Sequence, residues 1–128
     1  MSMDWRSWFI PGRPEKKGPI DSLRDPREDD LRRIEELNEA GSKLKLPHPV
    51  RNFLFVQSEK DARQAIEKLA DEGYACQLRA VPDGRWQVIA VIQVVPRAGV
   101  VTRMREQLEE VAKTLEGDYA GWDAPVVY

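Results

Sequence analysis

The sequence predicts a single α+β domain, and three observations carry that prediction. Stretches of apolar residues suited to strands alternate with stretches whose apolar residues return every three or four positions, in the order strand, helix, strand, strand, helix, short strand. The Pro82-Asp83-Gly84 turn between two apolar runs marks an antiparallel hairpin. The chain has 128 residues, of which 41% are hydrophobic and 33% charged, a composition suited to one ordinary core. A chain of this size buries roughly two thirds of the surface it exposes when unfolded, so it requires neither a metal nor a disulfide.

Each element follows from local chemistry. Residues 1 to 25 carry Pro11, Pro14 and Pro19 with Gly12 and Gly18, show no periodicity, and read as an extended arm. Inside it lies the apolar cluster Trp5-Arg6-Ser7-Trp8-Phe9-Ile10, which must pack either on its own domain or on a partner or second subunit. The domain proper spans residues 26–128. Asp25-Pro26 reads as a helix cap followed by proline at the first helical position, with Glu28, Asp29 and Asp30 placing negative charge in the first turn. The resulting helix covers 26–41, with Leu31, Ile34 and Leu37 as its apolar stripe and Gly41 as its terminator.

The α+β core is expected over 50–124. Val50 to Gln57 is a strand with Phe53 and Phe55 on one face and Leu54 and Val56 on the other, hence a central one. Ser58 caps a second helix that turns Ala62, Ile66, Leu69 and Ala70 to the core and ends at Gly73. Tyr74 to Val81 and Arg85 to Val95 form the hairpin. Its returning strand is apolar in both registers: Trp86, Val88, Ala90, Ile92 and Val94 against Ile89, Val91 and Val95. A third helix runs from about Arg97 to Glu116 on Val101, Met104, Leu108, Val111 and Leu115, starts without a capping side chain, and ends at Gly117. Asp118 to Tyr128 supplies a short last strand. With the first helix set aside, this order is the split βαβ (βαββαβ) of the ferredoxin-like fold. Two helices cover one face of a four-stranded antiparallel sheet.

Composition removes several function classes. Lys and Arg number 20 against 22 Asp and Glu, for a net charge of −2, and the signs alternate along the helices, so no nucleic-acid footprint is evident. No apolar stretch approaches the about 20 residues needed to span a bilayer, and the start of the chain lacks a signal-peptide core. A lone Cys76 suits a reducing compartment, and the expected location is the cytoplasm.

Reactive constellations are sparse. His48 is the single histidine, so multi-imidazole metal sites and histidine-based triads lack their parts. Cys76 sits mid-strand without an adjacent Lys, His or Cys and reads as an inert thiol. The eight glycines are scattered and form no phosphate loop. Glu116, Asp118 and Asp123 make a local acidic group without a defined pocket. No catalytic, metal or cofactor residues are therefore expected. The segment that stands out is Gly117-Asp118-Tyr119-Ala120-Gly121-Trp122-Asp123, where two aromatics alternate with glycine and acid. Tyr119 and Trp122 there either cover the sheet edge or serve as exposed interface anchors.

Three stretches carry a family resemblance: Ile34-Glu35-Glu36-Leu37-Asn38-Glu39-Ala40-Gly41-Ser42, the Ala62 to Tyr74 helix with its Leu69-Ala70-Asp71-Glu72-Gly73-Tyr74 ending, and Asp118-Tyr119-Ala120-Gly121-Trp122-Asp123. Over roughly residues 27 to 124 the chain resembles the regulator of ribonuclease E activity B family (RraB-like), whose members inhibit that endonuclease by binding it. Asp118, Tyr119, Gly121 and Trp122 match the family's ending, while Ala120 stands where the family has aspartate. Inhibitory members also carry acidic residues past the tryptophan, where this chain has Ala124-Pro125-Val126-Val127-Tyr128.

The resemblance implies a non-catalytic regulator that binds a protein partner, a ribonuclease or related RNA-processing factor, with Asp118, Tyr119, Gly121, Trp122 and Asp123 as the partner-binding residues. Two alternatives stand beside it. One is an RNA-binding module that stacks bases on Phe53, Phe55 and Trp86 of an open sheet, as the Leu54-Phe55-Val56 run suggests, although the third strand lacks the aromatics of the RNA recognition motif. The other is a ligand-binding regulatory domain, which would need a concave polar site.

Overall fold

The computed structural model describes residues 26–128, so the expected arm at 1–25 and the expected cap Asp25 lie outside the described residues. Helix α1 spans Pro26–Glu39, with Glu28 and Asp29 in its first turn. Beyond its last turn Gly41 adopts φ +91°, and the Ser42 amide donates back to the Leu37 carbonyl at 2.9 Å, the reversal that glycine permits at a helix end. The inner face differs from the expected stripe. Leu31 is 51% exposed, whereas Asp30, Ile34 and Leu37 face inward at helical spacing.

Strand β1 (His48–Val56) is followed by α2 (Glu59–Asp71), β2 (Ala75–Ala80), β3 (Trp86–Val94), α3 (Ala98–Thr114) and β4 (Asp118–Asp123). The Ser58 hydroxyl accepts the Asp61 amide at 3.1 Å, fixing the start of α2 as its sequence requires. Ala62, Ala65 and Leu69 are its buried residues, and Ile66 is half-buried; Ala70, expected inside, is exposed because it lies outside that arc.

The sheet runs in the order β2-β3-β1-β4, and every neighbouring pair is antiparallel. Its middle strands place Val50, Leu54 and Val56 of β1 beside Val88 and Ala90 of β3 on the face covered by α2 and α3. Ala62 and Leu69 of α2 and Val101, Met104 and Leu108 of α3 complete this core, and α1 leans against α3. Trp86 lies opposite Val56, so it also points to the helix side and packs against the core.

The end of α3 corrects another expectation. Glu116, not Gly117, adopts the left-handed backbone, at φ +57°. Gly117 is required for space instead. A methyl there would run into the Phe55 carbonyl oxygen and come within 2.9 Å of Val56 Cγ1. This close approach lets β4 begin one residue later, directly alongside β1.

Candidate functional site around the last strand

The β4 sequence brings its two aromatic side chains to the helix side of the sheet. Leu54 lies opposite Tyr119 and Asn52 opposite Trp122, and the register shifts between these pairs, where Gly121 adopts φ +102°. An extra residue on one strand of an antiparallel pair locally bends it. Here the irregularity lets two side chains three positions apart both turn inward.

Trp122 is 2% exposed, which removes its indole from the surface and from the role of exposed anchor that its sequence also allowed. Its Nε1 donates to Asp30 Oδ1 at 3.0 Å, while Arg105 Nε donates to Asp30 Oδ2 at 2.7 Å. One carboxylate therefore ties α1, α3 and β4 together. Asp30 is 5% exposed, and burying its charge is tolerable because both oxygens are engaged and a guanidinium faces them. Arg105 Nη1 continues the chain to Glu109 Oε1 at 3.1 Å.

Tyr119 is half-buried, and its hydroxyl donates to Asn52 Oδ1 at 2.7 Å. Asn52 Nδ2 in turn lies 3.3 Å from the Ala90 carbonyl and 3.4 Å from Met104 Sδ. Burial, helped by the Asp30 carboxylate, pushes the Tyr119 phenol well above its ordinary range, so it stays neutral and serves as a donor. The polar groups of this region hold the fold and are not poised for proton transfer.

On the other face of β4, Asp123 lies opposite Arg51 and receives two hydrogen bonds, from Nε at 2.8 Å and Nη2 at 2.7 Å. This fork geometry is the strong form of an arginine–carboxylate pair. Asp118, opposite Phe55 at the start of the strand, is exposed, as is Ala120. Of the five sequence-selected residues, Asp118 is thus fully at the surface, Tyr119, Gly121 and Asp123 are partly so, and Trp122 is enclosed.

Other reactive candidates fall in structural places. His48 is fully buried, donates from Nδ1 to the Leu46 carbonyl at 2.7 Å, and accepts the Ser42 hydroxyl on Nε2 at 2.5 Å. The Ser42 oxygen accepts the Val127 amide at 2.8 Å, and the Lys43 amide donates to the Val127 carbonyl at 2.7 Å, so this clasp fastens the final residues to the loop after α1. Burial pushes the Cys76 thiol up to about 11, away from nucleophilic use. Among the described residues no group of three His, Cys, Asp or Glu side chains could hold a metal ion. A shallow apolar recess of about 550 Å³ lies between Ile34, Leu44, Val95 and Pro96, with Lys45 and Arg97 on its wall. Among the described residues no carboxylate or imidazole lines it. Among the described residues no helix is long and apolar enough to cross a membrane.

Asp30 and Arg105 were not selected from sequence. The available signal was spacing: Asp30, Ile34 and Leu37 share one face of α1, and Arg105 follows Val101 and precedes Leu108 on the inner face of α3. A charge at the same helical phase as buried apolar residues points to a partner of opposite sign.

The family model for Regulator of ribonuclease activity B matches residues 27–124, which is nearly all of the described fold from α1 through β4. The chain belongs to that family. The RraB family is one of regulators of ribonuclease activity, and the Asp30, Arg105, Tyr119 and Trp122 network lies within the matched span. Among curated proteins no sequence matches the chain.

Proposed function

We propose that the chain is a non-catalytic, cytoplasmic regulator that binds a ribonuclease of the E type and lowers its activity. Membership of the RraB family over residues 27–124 is the observation that supports this most strongly. The sheet order and its antiparallel pairing support the ferredoxin-like reading of the domain. In this reading the segment Asp118, Tyr119, Gly121, Trp122 and Asp123 divides its labour. Trp122 and Tyr119 fix the strand from within, while Asp118 and the main chain of the edge strand meet the partner. Asp118 is an exposed acid on this strand, so the partner surface is basic.

The RNA-binding alternative has less support. Phe53 and Phe55 share a face, but Trp86 points to the opposite one and packs in the core, so the three rings form no common stacking platform. For a ligand-binding reading, the recess beside α1 offers Lys45 and Arg97 as its charged lining among the described residues.

The test adds purified full-length chain to a ribonuclease E cleavage reaction on a short single-stranded RNA and runs the two proteins together on gel filtration. Slower cleavage and co-elution are expected, and both should weaken in the surface variant Asp118→Arg, whose circular dichroism melt should match wild type. Unchanged cleavage with separate elution overturns the reading.

A further inference from the structure

The recess between α1, the loop that follows it and the start of α3 combines open apolar surface with cations that have no counter-charge. Ile34, Leu44 and Val95 in its lining are only partly buried, and Leu46, two residues further along the same loop, is 41% exposed. Lys45 and Arg97 are exposed on its wall, and neither forms an ion pair, whereas Arg32, Arg63, Arg85 and Arg105 each meet a carboxylate. α3 opens at Ala98 with no capping side chain and no acid in its first turn, so its amide end adds potential of the same sign.

The loop that displays Leu44 and Lys45 is pinned from both ends. The Lys43 amide donates to the Val127 carbonyl at 2.7 Å, the Leu46 amide donates to the Lys43 carbonyl at 3.0 Å, and the buried His48 donates from Nδ1 to the Leu46 carbonyl at 2.7 Å. Surface held in one arrangement before contact loses little freedom on binding. We propose that this recess docks a short acidic segment of a protein partner. One apolar side chain of that segment enters between Ile34, Leu44 and Val95, and carboxylates on either side of it meet Lys45 and Arg97.

Charge and shape select this occupant. Two cations without counter-charges beside apolar surface complement a chain in which an apolar anchor stands among acids. Small-molecule sites enclose most of their ligand, which a shallow recess does not do, whereas a single projecting side chain needs no more than this. The place also sets it apart from Asp118. Val95 and Pro96 follow the end of β3 that pairs with His48, while Asp118 lies opposite Phe55 near the other end of β1. The chain thus holds surfaces of opposite sign at opposite ends of its sheet, and the inference stands independently of the ribonuclease reading.

The experiment titrates the full-length, isotope-enriched chain with a short synthetic peptide holding one phenylalanine among glutamates and records methyl spectra. The Ile34, Leu44 and Val95 signals should shift while Leu69 of α2 stays in place. Lys45→Glu/Arg97→Glu should weaken binding about tenfold, with the circular dichroism melt preserved, and Asp118→Arg should bind as wild type does. Peptides with lysine for glutamate, or serine for phenylalanine, should leave the three methyls unmoved. Methyls that stay unmoved by millimolar acidic peptide overturn the proposal, as does equal binding by the double variant or of the lysine peptide. Octanoate that shifts the same methyls more tightly than the peptide assigns the recess to a small amphiphile, and shifts that grow with protein concentration alone assign it to a second copy. Either result overturns the proposal.

Discussion

Asp30 shows what a single buried carboxylate is asked to do. Its two oxygens receive the Trp122 indole and the Arg105 guanidinium, and no water-facing route compensates if one is lost. Asp30→Asn keeps the shape but leaves Arg105 facing a neutral amide, and breaking a buried ion pair from one side typically costs about 3–5 kcal/mol. Urea denaturation should show the midpoint falling accordingly, and a wild-type midpoint would mean that the pair is dispensable. Tyr74 supplies a second expectation. It is 4% exposed, donates to Gln107 Oε1 at 2.7 Å, and burial, with Glu72 and Cys76 adding, pushes its phenol up to about 12. The folded state therefore holds this proton more tightly than the unfolded chain does, and the associated stability is complete below the ordinary tyrosine value and lost as pH rises toward about 12. Stability measured from pH 9 to 12 should decline, and in Tyr74→Phe the part of that decline above about pH 10 should be smaller.

At the level of elements, the close approach of Gly117 to β1 is the sharpest constraint. An added methyl meets backbone on one side and the Val56 side chain on the other, and backbone cannot step aside as a flexible side chain can. Gly117→Ala should cost about 1–3 kcal/mol, in line with overpacked interiors, and a lowered thermal midpoint measures it. The same segment marks where sequence reading stops. Helix and strand boundaries were legible because their signals are local: Ser58 accepting Asp61, Gly41 reversing α1 and the Asp83-Gly84 turn each act within a few residues. The enclosure of Trp122 was not, because its partner Asp30 lies 92 positions away in sequence. Leu31 and Asp30 exchanged their expected places for the same reason: α1 turns toward a guanidinium on α3 that its own sequence does not contain. Gly117 looked like a helix terminator because close contact with β1 leaves no mark in the local sequence.

For the whole molecule, the proposed contact through the exposed Asp118 of β4 bears on how association should behave. Acidic side chains that meet a basic partner speed encounter more than they deepen affinity, and salt weakens them as the screening length falls from about 10 Å at 0.1 M to about 3 Å at 1 M. Complex formation with a ribonuclease should slow as salt rises, with dissociation changing less, as surface plasmon resonance at several salt concentrations can measure. A salt-independent association rate would place the contact on apolar surface instead.

The Asp30 to Trp122 bond and the seating of β4 beside β1 join the two extremes of the described chain. During synthesis α1 emerges early, yet its buried acid has nothing to receive until β4 arrives, and β1 keeps one unpaired edge for the same interval. Translation thus delivers the helix–strand–hairpin segment as an unfinished nascent chain, and closure waits until β4 has left the ribosome. Ribosome-bound intermediates truncated before Gly117 should therefore be digested readily by protease, whereas the released chain resists it.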